Sequence, residues 1–375
     1  MAHYHRIDVV SEGYVFDGKR VTEGLNAAVM PRAVLTSSGV LVVSAAITRG
    51  VGKNDYHGVF FRSADMGKTW QMVDPTSKWS STWQSYAYYL SVSRGPNGTL
   101  LAYGAATPVT SPDEFVANEK TGGMLDNELV FSLSHDEGLN WTEPCVIPRP
   151  YDVPAEAPGP ICATRVGRWV APSSPWLNWE GKNPYAGRAL AILSEDQGRT
   201  WPRHVHFLQD PDGPTHFQEQ WIIELSDGRL LGTSWRRDWG AAKDYPNPYS
   251  LSYDSGLSFG PTLSTGLMGQ SMGTRAWDDG QVICVYNRRY ENPGVGLAIA
   301  RPDDKEFHVE IDGMAWRAAS GTRGELTDLG KGAEYLDFSF GEPAAEVLPD
   351  GSIYVVFWCI EAKAQGIRYS RVKVT

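Results

Sequence analysis

No run in this 375-residue chain is long and apolar enough to span a bilayer. No segment repeats its apolar residues at a sustained helical period, which excludes a helical bundle. Basic charge is scarce: 34 Lys and Arg stand against 44 Asp and Glu, a net charge of −10. That balance excludes the basic stripe of a nucleic-acid binder. There are only four cysteines, Cys145, Cys162, Cys284 and Cys359, scattered in apolar contexts without metal-ligand spacing. They read as reduced core residues. The opening "MAHYHRIDVV" lacks the apolar region of a signal peptide, so a cytoplasmic location with no membrane partner is expected. Ser-His-Asp patterns, phosphate loops and dinucleotide fingerprints are missing too, and no metal or cofactor is expected.

Glycine (39), tryptophan (14) and tyrosine (17) are plentiful, as suits short strands, tight turns and aromatic anchors. One octet recurs: "SADMGKTW" (Ser63 to Trp70), "SHDEGLNW" (Ser134 to Trp141), "SEDQGRTW" (Ser194 to Trp201) and "SYDSGLSF" (Ser252 to Phe259). Its Ser and Asp can accept hydrogen bonds from backbone a few residues on, and its Gly supplies a positive φ. The closing aromatic drives a large ring into a core. A fixed period of this kind marks a repeat architecture.

A second pattern interleaves with the first, a small turn carrying Gly followed by an apolar strand. It occurs around Gly39, Gly98, Gly167, Gly228, Gly280 and Gly351. "ARPDDKEF" (Ala300 to Phe307) reads as an eroded fifth octet. Six units of about four strands predict an all-β fold, a six-bladed β-propeller filling residues 1–375 as a single domain. The early strand "YHRIDVV" (Tyr4 to Val10) is expected to complete the last blade. Ser111 to Glu128 is expected to be a loop within the second.

The repeated Ser-x-Asp-x-Gly-x-Thr-Trp octets on six blades resemble the Asp-box repeats of the sialidase (neuraminidase) superfamily. The resemblance covers essentially the whole chain and implies octets on the face opposite an active site. It also implies an arginine triad, a Tyr nucleophile assisted by Glu, and an Asp acid/base. On the first blade, Arg49 and Asp55 match the family's Arg and Asp in order and spacing. On the fourth, Glu219 and Arg236 fall at the family's Glu and Arg, with Arg237 as the alternative, because adjacent strand residues face opposite sides.

Other positions depart from the pattern. Val29 stands where the first triad Arg belongs, with Arg32 three residues on. Arg288 and Arg289 come early for the third. Glu342 and Pro343 occupy the nucleophile position, with Tyr335 nearby. A neutral Tyr suits attack beside a sialic acid carboxylate, which would repel a Glu. The resemblance together with these departures implies a sialidase-like exo-glycosidase for a terminal sugar other than a typical sialic acid.

Three inner strands carry Glu near their N-terminal ends: Glu156, Glu219 and Glu342. With Asp55 they are expected to ring the axis and raise one another's pKa. Hydrolysis needs such a pair, about 5 Å apart for retention and about 6.5–9.5 Å for inversion. The Glu156/Glu219 pair resembles the two catalytic Glu of exo-arabinanases. Trp83, Tyr86, Trp176, Trp179 and Trp235 are candidates to stack on sugar faces. His57 and His216 are candidate bases, so a lyase acting on uronates held by Arg49 and Arg236 remains open, as does a non-catalytic glycan-binding propeller. His204 and His206 alternate on a strand and are expected to face solvent. The expected partner is a carbohydrate; oligomeric state is left open.

Overall fold

In the computed structural model the described residues are 6–18, 25, 27–111, 113–210, 213, 215–323, 337–361 and 364–375. Nearly all regular structure is β-strand. Among the described residues the one α-helix is a single turn, Ser81–Gln84, and no helix is long and apolar enough to cross a membrane.

The strands group into antiparallel meanders. The first unit is Ala27–Leu35, Leu41–Thr48, His57–Ser63 and Gln71–Val73; the second is Tyr86–Arg94, Leu100–Pro108, Glu128–Ser134 and Cys145–Ile147. In the third, the short pieces Ala155–Glu156 and Cys162–Ala163 together precede Trp169–Pro175, Arg188–Ser194 and Arg203–Gln209. The fourth runs His216–Glu224, Leu230–Asp238, Pro248–Ser252 and Leu263–Ser264, with Lys243–Tyr245 as an added edge. Met272–Ala276, Val282–Arg288, Gly294–Pro302 and Phe307–Arg317 make the fifth. The sixth is Phe340–Val347, Ile353–Glu361 and Ala364–Val374, and the N-terminal strand Ile7–Phe16 completes it by pairing antiparallel to Ala364–Val374. Residues 4 and 5 of the expected closing strand lie outside the described residues.

The first strand of each unit touches the first strand of the next. Ala27–Leu35 meets Tyr86–Arg94, and so on through Cys162–Ala163, His216–Glu224, Met272–Ala276 and Phe340–Val347, which returns to Ala27–Leu35. The units therefore form a closed, propeller-like ring, in which the inner edge strands are covered by their neighbours.

The octets hold the ring together. In all four, Ser Oγ accepts from the Gly N–H at 2.8 Å. The Asp carboxylate accepts from both the backbone and the side chain of the seventh residue. The residue before each Gly is also left-handed, with φ of 58° at Met66, Glu137 and Gln197 and 56° at Ser255. The closing aromatic packs on the preceding unit: Trp141 on Phe60, Trp201 on Phe131, Phe259 on Phe207, and Trp70 on Tyr354 across the closure. Phe307, ending the eroded octet, packs on Tyr249 in the same way.

The core lies between neighbouring sheets. Cys284 and Cys359 belong to it, but Cys162 is only partly covered and Cys145, on an outer strand, is exposed, which corrects the expectation of four core cysteines. The segment from Ser111 to Glu128 does connect the third strand of the second unit to the second, and it does more than connect. It folds back on the first unit through Val116 N–H to Gly52 and on the third through Met124 N–H to Leu177.

Candidate active site

Within each unit the first and third strands run the same way. The octets follow the third strand, so they lie at the end of the ring where the first strand finishes. Glu156, Glu219 and Glu342 sit toward the beginnings of first strands, at the opposite end.

Three first strands share one local distortion. Their pairing slips between Val29 and Arg32, between Gln218 and Trp221, and between Gly341 and Ala344. At each slip one non-glycine residue adopts a left-handed backbone: Met30 (φ 57°), Glu219 (φ 51°) and Glu342 (φ 52°). Bulges re-aim side chains, and a left-handed non-glycine residue is costly enough to suggest a functional position. Here they turn Met30, Glu219 and Glu342 into one cavity of about 200 Å³, which Glu156 also borders.

Each carboxylate keeps some surface open to the cavity, with protein around the rest. Glu156 Oε2 accepts from Glu219 N–H at 3.0 Å and from Gln220 Nε2 at 2.7 Å, which leaves Oε1 for a proton. Glu342 Oε2 accepts from Met30 N–H at 2.7 Å. Burial, reinforced by the charge of Glu219, pushes Glu156 up to about 8 and Glu342 up to about 7. Burial raises Glu219 as well, but a hydrogen bond from Ser271 and the charges of Arg32 and Arg289 oppose it. All three carboxyls are thus pushed upward; Glu156, raised to about 8 with no guanidinium opposing it, is the one best held as an acid.

Arg32 and Arg289 reach this cluster. Arg32 is 1% exposed, donates to the carbonyls of Pro31, Pro158 and Glu342, and lies over the Trp221 ring. Arg289 borders the cavity, donates to Phe340 O and to Gln270 Oε1, and covers the ring of Phe338. Burial pushes Arg289 down to about 10.

Other expected site residues lie elsewhere. Arg49 and Asp55 pair with each other, and Asp55 also accepts from Thr48 Oγ1; neither borders the cavity. The expected ring of four acids is thus a cluster of three Glu, because Asp55 is drawn to its own strand. Arg236 turns away to Asp210 (2.6 Å) and Tyr245. Its neighbour Arg237 takes the inward face, 2% exposed, paired with Asp244 at 2.9 Å and set against Trp235 and Trp239. Tyr335 lies outside the described residues.

The walls are aromatic. Trp176 and Trp235 border the cavity as candidates, and Trp239, Tyr56, Tyr89 and Trp358 join them. Trp83 and Tyr86 pack on each other away from it, and Trp179 is exposed. His57 is exposed, and His216, whose pKa burial lowers, does not border the cavity either. His204 is exposed and His206 is half-buried on its strand. The segment from Ser111 to Glu128 contributes Val116, Ala117, Gly122 and Met124 to the wall, a part that sequence reading missed.

At the octet end, ion pairs link first strands of different units. Glu346, 1% exposed, pairs with Arg94 at 2.8 Å and Arg275 at 3.0 Å, joining the sixth unit to the second and fifth. Among the described residues no His, Cys, Asp and Glu cluster could hold a metal ion.

No protein-family model and no curated protein matches the chain. Solved structures do. A protein of unknown function from Dyadobacter fermentans aligns with a TM-score of 0.70 at 17% identity, over 98% of this chain and 99% of its own. The NanB sialidase from Streptococcus pneumoniae aligns with a TM-score of 0.66 at 13% identity, over 96% of this chain and 70% of its own. The intramolecular trans-sialidase from Ruminococcus gnavus aligns with a TM-score of 0.61 at 13% identity, over 96% of both chains. At identities this low the likeness is one of fold, and the fold of this chain is sialidase-like.

Proposed function

We propose that this protein is a sialidase-like exo-glycosidase that hydrolyses a terminal sugar other than a typical sialic acid. The observation that carries the reading is the carboxyl cluster: Glu156 pushed by burial up to about 8, beside Glu219, whose own upward shift by burial is opposed by Ser271, Arg32 and Arg289. A carboxyl that keeps its proton beside one that gives it up more readily supplies both halves of glycoside hydrolysis. Glu156 protonates the leaving oxygen through its free Oε1. Glu219 acts from the other side as nucleophile or as base toward water.

Exo-action fits the cavity. It is smaller than the roughly 300–1,000 Å³ of sites for drug-sized ligands, so it suits one sugar ring. Among the described residues Arg289 is the one arginine that borders the cavity, and it is engaged by Phe340 O and Gln270. A clamp of several arginines for a sugar carboxylate is therefore not assembled there. A lyase finds less support: neither His57 nor His216 borders the cavity, and burial raises the hydroxyls of Tyr56 and Tyr89 far above neutral pH.

A panel of chromogenic glycosides tests the reading, run beside uronate oligosaccharides monitored for an unsaturated product. Released chromophore, lost in Glu219→Gln, supports it. Unsaturated product alone, or sugar binding without turnover on any substrate, refutes it.

A further inference from the structure

Gln218 precedes Glu219 at the bulge of the fourth unit. On a regular strand the two would face opposite sides. The slip between Gln218 and Trp221 lets both border the cavity. Gln218 is 1% exposed, and among the described residues neither Nε2 nor Oε1 of its amide has a hydrogen-bond partner. A buried amide with both ends unsatisfied is destabilising, and such a group in a folded protein calls for an explanation.

The unsatisfied groups are concentrated here. Trp239 Nε1 and Glu219 Oε2 are also buried, border the same cavity and lack partners. Together they offer two kinds of donor and two acceptors. This set matches adjacent hydroxyls on a ring, each of which both donates and accepts. It does not match a carboxylate, which only accepts and which Glu219 and Glu342 would repel. Arg32 Nη2 also lacks a partner, but Arg32 lies over Trp221, 5.0 Å from the ring centre, and does not border the cavity.

We propose that Gln218 is the specificity-determining residue of this cavity and that it reads neighbouring hydroxyls of a neutral sugar, with Trp239 N–H donating to a third oxygen. The amide oxygen accepts from one hydroxyl and the amide nitrogen donates to the next, while the aromatic walls cover the ring faces. This deepens the glycosidase reading of the same cavity and takes the sugar class from it. It assigns Gln218 a positioning role, with no part in proton transfer.

The test is equilibrium binding to the full chain, followed by tryptophan fluorescence. Glucose, galactose, arabinose and fucose are the neutral probes; glucuronate, N-acetylneuraminate and glucosamine are the charged ones. At least one neutral sugar is expected to bind more tightly than every charged one. Gln218→Met keeps the length of the side chain without its polar atoms, and is expected to weaken that binding by about tenfold or more. Without sugar, the same variant is expected to melt at or above the temperature of the native protein, because it removes unsatisfied groups. Unchanged affinity in the variant, a melting temperature several degrees lower, preference for a charged sugar, or no binding of any probe would each overturn the proposal. Neutral sugar binding through Gln218 without hydrolysis of any glycoside would refute the hydrolase reading and leave this one standing. Hydrolysis that Gln218→Met leaves unchanged would do the reverse.

Discussion

The backbone N–H of Glu219 donates to the carboxylate of Glu156 at 3.0 Å across the boundary between the third and fourth units. The same contact recurs where the ring closes, from Met30 N–H to Glu342 at 2.7 Å. In both, the donor is the left-handed residue of a bulge and the acceptor a carboxyl of the preceding unit. One bulge therefore does two things: it aims its own side chain inward, and it orients its neighbour's acid. At the fourth unit the aimed side chain is Glu219 and at the first it is Met30. Among the described residues, only the boundary between the third and fourth units consequently gathers two carboxyl groups on one such contact.

Glu219→Gln is expected to lower glycosidase turnover by about 10²–10⁴-fold, because an amide neither ionises nor transfers a proton. Asp55→Asn is expected to stay within about tenfold, since Asp55 is held by Thr48 and Arg49 outside the cavity. Rates for the two variants on one chromogenic substrate, with circular dichroism as a folding control, decide the point. The reverse ranking would move the chemistry to the rim.

Trp141→Ala should destabilise the fold by about 3–5 kcal/mol, the usual loss for removing a buried Trp. Trp141 is 7% exposed and stacks on Phe60 of the preceding unit with ring centres 4.0 Å apart. Urea unfolding measures the loss. A change below about 1 kcal/mol would mean that the octet aromatics do not hold neighbouring units together.

The repeats were legible in the sequence because an octet's chemistry is local. Asp196 bonds Thr200 four residues away and Ser194 Oγ accepts from Gly198, so the turn is written in consecutive residues. The three Glu were legible too, as charges entering apolar strands. The bulges were not. Whether Gln218 and Glu219 face the same side depends on pairing with Trp235 and Thr233, which lie beyond a turn. Arg236 was preferred to Arg237 from the sequence, and the order is reversed for the same reason: a shift of one residue exchanges their faces, and it is Arg237 that is buried. Asp55 kept the spacing expected of a proton donor, yet Arg49 and Thr48 on its own unit capture it.

Gln197→Gly is expected to stabilise the protein by about 1 kcal/mol. Gln197 is exposed, and its φ of 58° is one that glycine adopts without the strain a side chain brings. That gain is offset in part by the greater freedom of glycine in the unfolded chain. Thermal melting reads the balance. A lower melting temperature would show that the unfolded-state term prevails, and that the octet tolerates its left-handed residue at little cost.

Burial, and then the charge of Glu219, raises Glu156 from an ordinary value of 4.5 to about 8 in the folded protein. A carboxyl raised on folding binds its proton more tightly in the native state than in the unfolded one. Between about 4.5 and about 8 the native protein therefore holds more protons, and stability falls as pH rises through that window. The contribution is complete below the window and gone above it. Glu156→Gln carries no titrating proton, so its melting temperature should decline less than that of the native protein over the same span. Activity should follow the same proton: as a general acid, Glu156 must be protonated, so turnover should fall as pH rises through about 8. In Glu156→Gln that alkaline limb should vanish along with most turnover of substrates whose leaving groups need a proton. A native melting curve that is flat from pH 5 to pH 8, together with an alkaline limb that survives in Glu156→Gln, would remove Glu156 from the acid's role and leave Glu342, raised to about 7, as the remaining carboxyl of the cluster able to fill it.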